Sequence, residues 1–169
     1  MRLATNRRLL SIRLLLVHAL LIVAVESTVV SGASEKKVAL DEVKARLDRA
    51  RTPVERVLIQ IQISDLLLRE VKDNVSLNDT KSLSDWLEQY RETISMARET
   101  ILNSGRDPQR EPDGFKHLEI QLRQHITWLI SWKRKATDSK PIEESIAMAS
   151  SIQKEMLDLL FPIIGEKKR

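Results

Sequence analysis

The stretch from Val54 to Ser104 contains neither glycine nor proline, the two residues that most often interrupt a helix. Within it, apolar residues recur every three or four positions, which is the spacing of the buried face of an α-helix. We therefore expect an all-α fold of long helices joined by short turns. The chain has 169 residues, of which 42% are hydrophobic, so it can fill one ordinary core. It has no cysteine, which excludes a disulfide framework and a cysteine-based zinc site.

The most specific local signal is the sequence TPVE at Thr52–Glu55. Threonine is a good N-cap, proline suits the first helical position, and a glutamate three residues after the cap completes a capping box. This pattern predicts a helix over Pro53–Leu77. Its middle, Val57–Ile63, alternates in the manner of a strand. The capped start and the further apolar residues up to Val71 favour a helix, which we expect to be central in the fold.

Four further helices are predicted from stripes of apolar residues, over about 38–50, 81–104, 115–136 and 141–161. Short connections place consecutive helices as antiparallel neighbours. The sequence therefore predicts an irregular bundle of about five helices, consisting of two long hairpins with the N-terminal helix across them. An array of tetratricopeptide-like repeats is the alternative. The length of the helices and the lack of glycine inside them favour the bundle.

Residues 1–33 have the composition of a secretory signal peptide. Four arginines and no acidic residue precede an apolar run at 14–25. The small residues Ser31 and Ala33 then stand at positions −3 and −1 of a cleavage site. We predict cleavage after Ala33, with Ser27 as the alternative, and a mature protein that is periplasmic or secreted.

Two other interpretations of this segment stay open. Residues 14–30 could be retained as a membrane anchor, although Glu26 interrupts the run before it reaches the roughly 20 apolar residues that span a bilayer. The pair Arg7-Arg8 allows export by the twin-arginine route, but the residues that follow match that signal poorly.

The charge of the mature chain argues against a nucleic-acid partner. Residues 1–33 hold four of the 28 basic residues and one of the 24 acidic residues, which leaves 24 basic and 23 acidic residues in the remainder. These charges are interspersed, whereas a nucleic-acid-binding protein presents a basic face. We assign residues 34–161 to one helical domain and 162–169 to a flexible tail ending in Lys167-Lys168-Arg169.

Known catalytic and cofactor motifs are missing from the sequence. It contains no phosphate-binding glycine loop, no nucleophile elbow and no zinc-protease helix motif. His117 and His125 are eight residues apart, about 80° around a helix, so they do not share a metal unaided. We therefore predict no enzyme activity, no cofactor and no metal.

One group of side chains remains a candidate contact surface, namely His125, Trp128 and Trp132 on the fourth helix. Exposed tryptophan faces stack on sugars, so this ridge could bind a cell-envelope glycan or another partner. The alternative is that the tryptophans pack at a seam between helices, because large aromatic side chains usually supply burial. His125 lies in the apolar stripe, where a histidine is commonly hydrogen-bonded to a neighbour.

From about Val38 to Phe161 the chain resembles a class of small exported helical proteins of soil bacteria. The resemblance lies in the helix start at 52–57, the segment 65–70 and the segment 118–125. That class has no assigned activity, so the resemblance implies an exported all-α domain and no functional residues. We expect a helical protein-interaction or structural module whose partner is a protein. A cell-wall glycan is the alternative, and a membrane is involved only if the N-terminal segment is retained.

Overall fold

The computed structural model describes residues 38–162, and every regular element in this range is an α-helix. Helix α1 includes residues 38–47. It is followed by α2 (Pro53–Leu77), α3 (Thr80–Leu102), α4 (Asp113–Lys133) and α5 (Lys140–Leu160). The predicted all-helical bundle is confirmed. None of the described helices is long and apolar enough to cross a membrane.

The chain divides into two compact units, residues 1–42 and 43–169. Of the first unit only residues 38–42 are described, and they are helical. The predicted signal peptide at 1–33, its alternative as an anchor, and tail residues 163–169 lie outside the described residues. The packing below concerns the second unit, and the position of the N-terminal helix across the hairpins stays a prediction.

The start of α2 forms as its sequence predicts. Thr52 has an extended backbone, and its Oγ1 accepts a hydrogen bond of 3.1 Å from the backbone N–H of Glu55. The Glu55 carboxylate accepts a 2.9 Å bond from the backbone N–H of Arg51, one residue upstream of the donor in a standard capping box. Free N–H groups at this helix end are therefore satisfied by side chains of the segment itself.

A turn of only two residues separates α2 from α3. Asn78 takes the left-handed conformation (φ 56°), and its N–H bonds to the carbonyls at the end of α2. Asp79 then caps α3, because its carboxylate accepts a 3.1 Å hydrogen bond from the backbone N–H of Ser82. So short a turn forces α2 and α3 to run antiparallel in contact.

The connection from α3 to α4 differs from the prediction in its glycines. The third helix, predicted to run to residue 104, ends at Leu102, and Gly105 lies in the turn beyond it with φ 71°. Gly114 precedes the predicted start of the fourth helix at residue 115, but it belongs to the first turn of α4 and is buried. A Cβ added there would collide with Ile101 of α3 and lie 3.6 Å from Val54 of α2. Glycine at this position therefore allows three helix ends to meet.

The two hairpins lie side by side, so that α2 packs against α4 and α3 against α5. The start of α4 lies at the start of α2, as the surroundings of Gly114 show, and the middle of α4 lies at the middle of α2. These two helices are therefore parallel. Helices α3 and α5 are also parallel, because Arg91 contacts Ser145 and, seven residues on, Arg98 contacts Glu155.

The core lies between these four helices and is made mainly of aliphatic side chains. Its largest fully buried members are Tyr90, Phe115, Leu67, Leu68, Leu87, Ile94, Ile101, Leu118, Leu122, Leu129, Ile142 and Met156. Complete burial of each such leucine or isoleucine contributes about 1.5–3 kcal/mol relative to exposure. Helix α2 also buries two polar residues, Gln60 and Ser64, in addition to its apolar ones. It is therefore enclosed over much of its circumference, as predicted.

Candidate functional site

His125 lies inside the bundle, where only 1% of its surface is exposed. It belongs to the buried face of α4, between Leu122 and Leu129. Its ring is therefore not part of an exposed ridge. Instead it reaches polar side chains from two other helices, and together Asp65, Tyr90, Gln121 and His125 form what we call the His125 network.

The hydrogen bonds of the His125 network fix the tautomer of the imidazole. The Asp65 carboxylate only accepts hydrogen bonds, so the 2.7 Å contact with His125 requires a proton on Nε2. In the singly protonated ring, Nδ1 accepts the hydroxyl proton of Tyr90, at 3.3 Å. The side-chain amide of Gln121 donates to the same Asp65 oxygen, at 2.9 Å. Because the two donors share this acceptor, the amide nitrogen of Gln121 lies beside Nε2 of His125. The neutral ring is thus satisfied at both nitrogens.

The order carboxylate, imidazole, hydroxyl is also that of a nucleophilic triad, but access decides against this chemistry. The Tyr90 side chain is completely buried, so no substrate reaches its oxygen. Burial raises the pKa of the Tyr90 hydroxyl well above its ordinary value, and the negative charge of Asp65 acts in the same direction. A phenol held in its neutral form is a poor nucleophile. The arrangement joins α2, α3 and α4 through hydrogen bonds.

Alkaline titration tests this account, since Tyr90 is the only tyrosine of the chain. We expect the folded protein to show no phenolate absorbance at pH values where the urea-unfolded chain titrates, near pH ~10. The stabilising contribution of the protonated Tyr90 hydroxyl is complete below that pH. Above it the unfolded state loses a proton that the folded state retains, so the free energy of unfolding falls by about 1.4 kcal/mol per pH unit. A Tyr90→Phe variant with an unchanged pH slope would contradict the account.

Trp128 and Trp132 lie next to His125 along α4, and both are half-buried. The ring centroids of His125 and Trp128 are 5.6 Å apart, and those of Trp128 and Trp132 are 6.3 Å apart with the planes 27° from parallel. Of the three residues predicted as a contact ridge, only the tryptophans retain a partly accessible surface. Glycan or partner contact through Trp128 and Trp132 stays a prediction.

A second candidate is an open groove of about 520 Å³ on the outer surface between α3 and α5. We call it the α3–α5 groove. It contains two methionines that are large and exposed, Met96 at 46% and Met148 at 38%. The lining is completed by Glu88, Arg91, Glu92, Ser95 and Glu99. It is thus an apolar surface bordered by acidic side chains.

The α3–α5 groove carries an excess of negative charge. Glu88, Glu92 and Glu99 are exposed on one face of α3, and none of them forms an ion pair with another residue of the described range 38–162. The one arginine of the lining, Arg91, is turned to α5, where it donates to the Pro141 carbonyl at 3.2 Å and to Ser145 Oγ at 3.1 Å. The three carboxylates are therefore exposed and outside any ion pair of the described residues, although Glu99 also interacts electrostatically with Arg98.

The next arginine of α3 beyond the lining, Arg98, is also engaged with α5. Arg98 binds Glu155 of α5 through two hydrogen bonds, the one from Nη2 measuring 2.8 Å. On the opposite hairpin, Arg123 donates to the buried carboxylate of Glu119 at 2.7 Å, which also accepts a 2.8 Å bond from Gln153. The Arg98–Glu155 pair joins α3 to α5 and the Gln153 bond joins α5 to α4, whereas the Arg123–Glu119 pair lies within α4.

The sequence pointed to His125 but not to its partners. Asp65 stands in an otherwise apolar part of α2, which was the available signal, and Tyr90 lies at a regular position of the apolar stripe of α3. The sequence shows the acidic face of α3 as glutamates four and seven residues apart. Contact of this face with Met148 of α5 depends on how the helices pack. Within residues 38–162 no three His, Asp or Glu side chains are placed to hold a metal ion.

Comparisons with known proteins return nothing for this chain: no family model, no curated protein and no solved structure matches it. No residue role can therefore be transferred from another protein. Any function has to follow from the side chains just described.

Proposed function

We propose that this chain is a non-catalytic helical interaction module that binds a basic, partly apolar segment of another protein in the α3–α5 groove. The observation that carries the proposal is the combination of two exposed methionines with three exposed carboxylates on one accessible surface, against a single arginine in the lining. Apolar side chains of the partner would cover Met96 and Met148. Its cations would lie against Glu88, Glu92 and Glu99.

The chemistry of the groove suits such a partner for two reasons. Methionine side chains are flexible and polarizable, and they adapt to apolar groups of different shape. Like charges four residues apart on a helix repel one another, as Glu88 and Glu92 do, and a bound cation relieves this repulsion. Charge complementarity of this kind accelerates association and excludes acidic competitors.

The His125 network contributes stability to this module and no chemistry of its own. It fixes α3, which carries the acidic face, relative to α2 and α4. The parallel contact of α3 with α5 is fixed separately by Arg91 and Arg98. A rigid groove binds with a smaller loss of conformational entropy than a mobile one.

Peptide binding tests the proposal directly. The probe is a fluorescein-labelled amphipathic peptide of leucine and lysine, with a leucine–glutamate peptide of the same pattern as control. We expect the lysine peptide alone to raise the fluorescence anisotropy, with an affinity that falls as salt is added. The double variant Glu92→Lys/Glu99→Lys should weaken binding by about tenfold or more, since each lost charge contact contributes on the order of 1 kcal/mol.

The matched control is Asp48→Lys/Glu111→Lys, which changes the net charge equally at exposed residues outside the groove lining. This variant should retain most of the affinity for the lysine peptide. Equal losses in both double variants would show only a general charge effect. Unchanged binding by Glu92→Lys/Glu99→Lys would remove the groove from the proposal.

We further propose that the module is exported, on the basis of the signal-peptide composition of residues 1–33. The intact mass of the protein recovered from its host distinguishes cleavage of residues 1–33 from their retention. A soluble species beginning at Ser34 supports a periplasmic or secreted module. A full-length species in the membrane fraction would make it a tethered one.

Glycan binding by Trp128 and Trp132 is the second candidate, favoured by the partly accessible, stacked pair of indole rings. It predicts a change of tryptophan fluorescence on addition of peptidoglycan fragments that is lost in Trp128→Phe. An unchanged spectrum would leave the pair with a packing role.

A further inference from the structure

We propose that Met96 and Met148 form a modification site, at which reversible oxidation by a peroxide prevents the α3–α5 groove from binding its partner. The oxidant is hydrogen peroxide or an organic hydroperoxide, and the product is a methionine sulfoxide at each residue. This regulation rests on the proposed function, because it acts on the same groove. It adds a chemical signal to which the binding of a basic, partly apolar segment would respond.

The methionines of the described range 38–162 fall into two classes by access. Met96 of α3 and Met148 of α5 are exposed, whereas Met156 of α5 is completely buried. A peroxide must reach the sulfur atom to oxidise it, so the two exposed thioethers react and the buried one is protected. Helix α5 thus carries both a reactive methionine and a protected reference.

No thiol of the chain competes for the oxidant. The sequence has no cysteine, and thiolates are the side chains that peroxides otherwise oxidise first. Within residues 38–162, the accessible sulfur atoms are therefore those of Met96 and Met148. A peroxide that reaches this part of the chain reacts at the groove.

The two methionines supply the apolar part of the groove. The other side chains that line it are charged or carry a hydroxyl group, namely Glu88, Arg91, Glu92, Ser95 and Glu99. Met96 lies on α3 and Met148 on α5, so each wall contributes one thioether. Oxidation of both sulfur atoms therefore leaves no unmodified apolar side chain in the lining.

The reaction is an oxygen transfer that involves two electrons. The sulfur lone pair attacks one peroxide oxygen, the O–O bond breaks as the S–O bond forms, and the proton on the transferred oxygen passes to the leaving oxygen. Sulfur is oxidised, and the peroxide is reduced to water or an alcohol. Methionine sulfoxide reductases reverse the step with a dithiol, which becomes a disulfide while the oxygen leaves as water. The groove then regains its apolar surface.

The effect on binding follows from the polarity of the product. A sulfoxide oxygen accepts hydrogen bonds from water, and an apolar side chain of the partner would displace that water without offering a donor. The carboxylates of the groove are unchanged, so the cations of the partner keep their contacts. We therefore expect oxidation to weaken binding through the apolar contact alone, by about tenfold.

Limited oxidation of the full chain tests the site itself. The protein is treated with hydrogen peroxide, and peptide mass spectrometry follows the gain of oxygen at each methionine. We expect Met96 and Met148 to be oxidised at least about tenfold faster than Met156, with an unchanged circular dichroism spectrum. Oxidation of Met156 at the rate of the other two, or loss of the helical signal in step with oxidation, would overturn the proposal.

Binding of the fluorescein-labelled leucine–lysine peptide tests the consequence. The oxidised protein should bind it about tenfold more weakly, and methionine sulfoxide reductases for both sulfoxide epimers should restore the affinity. Met96→Leu/Met148→Leu removes both sulfur atoms and keeps apolar side chains of similar volume. Whatever its own affinity, this variant should bind the peptide equally before and after peroxide treatment. The matched control is Met156→Leu, which should retain the full response to peroxide.

The same measurements separate this proposal from the proposed function. No peptide binding by the unoxidised protein would exclude the proposed function and the regulation with it. Binding that depends on Glu92 and Glu99 but does not change on oxidation would retain the proposed function and exclude the regulation. A response to peroxide that persists in Met96→Leu/Met148→Leu would place the oxidised group elsewhere and also exclude it.

Discussion

His125→Ala is expected to lower the free energy of unfolding by about 3–4 kcal/mol, as measured by urea denaturation. The substitution removes a buried ring and leaves a cavity between three helices, which alone costs on the order of 2 kcal/mol or more. It also leaves the buried hydroxyl of Tyr90 without its partner, at a further cost of about 1–3 kcal/mol. Relaxation around the cavity keeps the total below the sum of the upper values.

Smaller substitutions in the His125 network should lower the free energy of unfolding by smaller amounts. Tyr90→Phe leaves Nδ1 of His125 unsatisfied and should cost about 1–2 kcal/mol. Asp65→Asn should cost less, because the Asp65 side chain is 31% exposed and water can compensate. The control is His117→Ala, at an exposed histidine whose side chain, within the described part of the chain, bonds a carbonyl of its own helix, that of Asp113. An effect of His125→Ala no larger than that of His117→Ala would contradict a structural network.

Gly114→Ala is expected to destabilise the protein by about 2–3 kcal/mol, although alanine favours helices more than glycine does. The added Cβ would collide with the Cδ1 atom of Ile101, whose side chain is fully buried and has little room to move. Ile101→Val removes that atom and should itself cost about 1 kcal/mol.

The double variant Gly114→Ala/Ile101→Val decides whether the collision is the cause. It should be more stable than the sum of the two single effects predicts, with an interaction energy of about 1 kcal/mol. Strict additivity of the two substitutions in urea denaturation would show that Gly114 is required for some other reason than its contact with Ile101.

The helices could be predicted because their signals are local. The N-cap at Thr52, the proline after it and the long apolar stripe define α2 without reference to the rest of the chain. The end of α3 and the start of α4 were less accurate, since α3 ends at Leu102 and not at residue 104, and Gly114, predicted to precede the fourth helix, belongs to it. Gly114 is helical because three helix ends approach one another there, and a single sequence carries no mark of such an approach.

The candidate sites depended on tertiary register, which the sequence does not encode locally. His125 was identified as a stripe residue, but its partners Asp65 and Tyr90 are 60 and 35 positions away along the chain. They meet because α2 and α3 both pack against α4. Hairpins predicted simply as antiparallel pairs leave their mutual arrangement undetermined, and with it the meeting of α3 with Met148.

The side-by-side arrangement of the hairpins has a topological consequence for the four-helix unit. Helix α2 begins and α5 ends at the same end of the unit, because each hairpin returns the chain to the level from which it departed. Units whose ends lie together can be inserted into a surface loop of another protein without separating the two edges of that loop. The segment Pro53–Leu160 therefore has the geometry of a domain that can be inserted into a loop of another protein. The Asn78-Asp79 turn lies at the opposite end from the points of insertion.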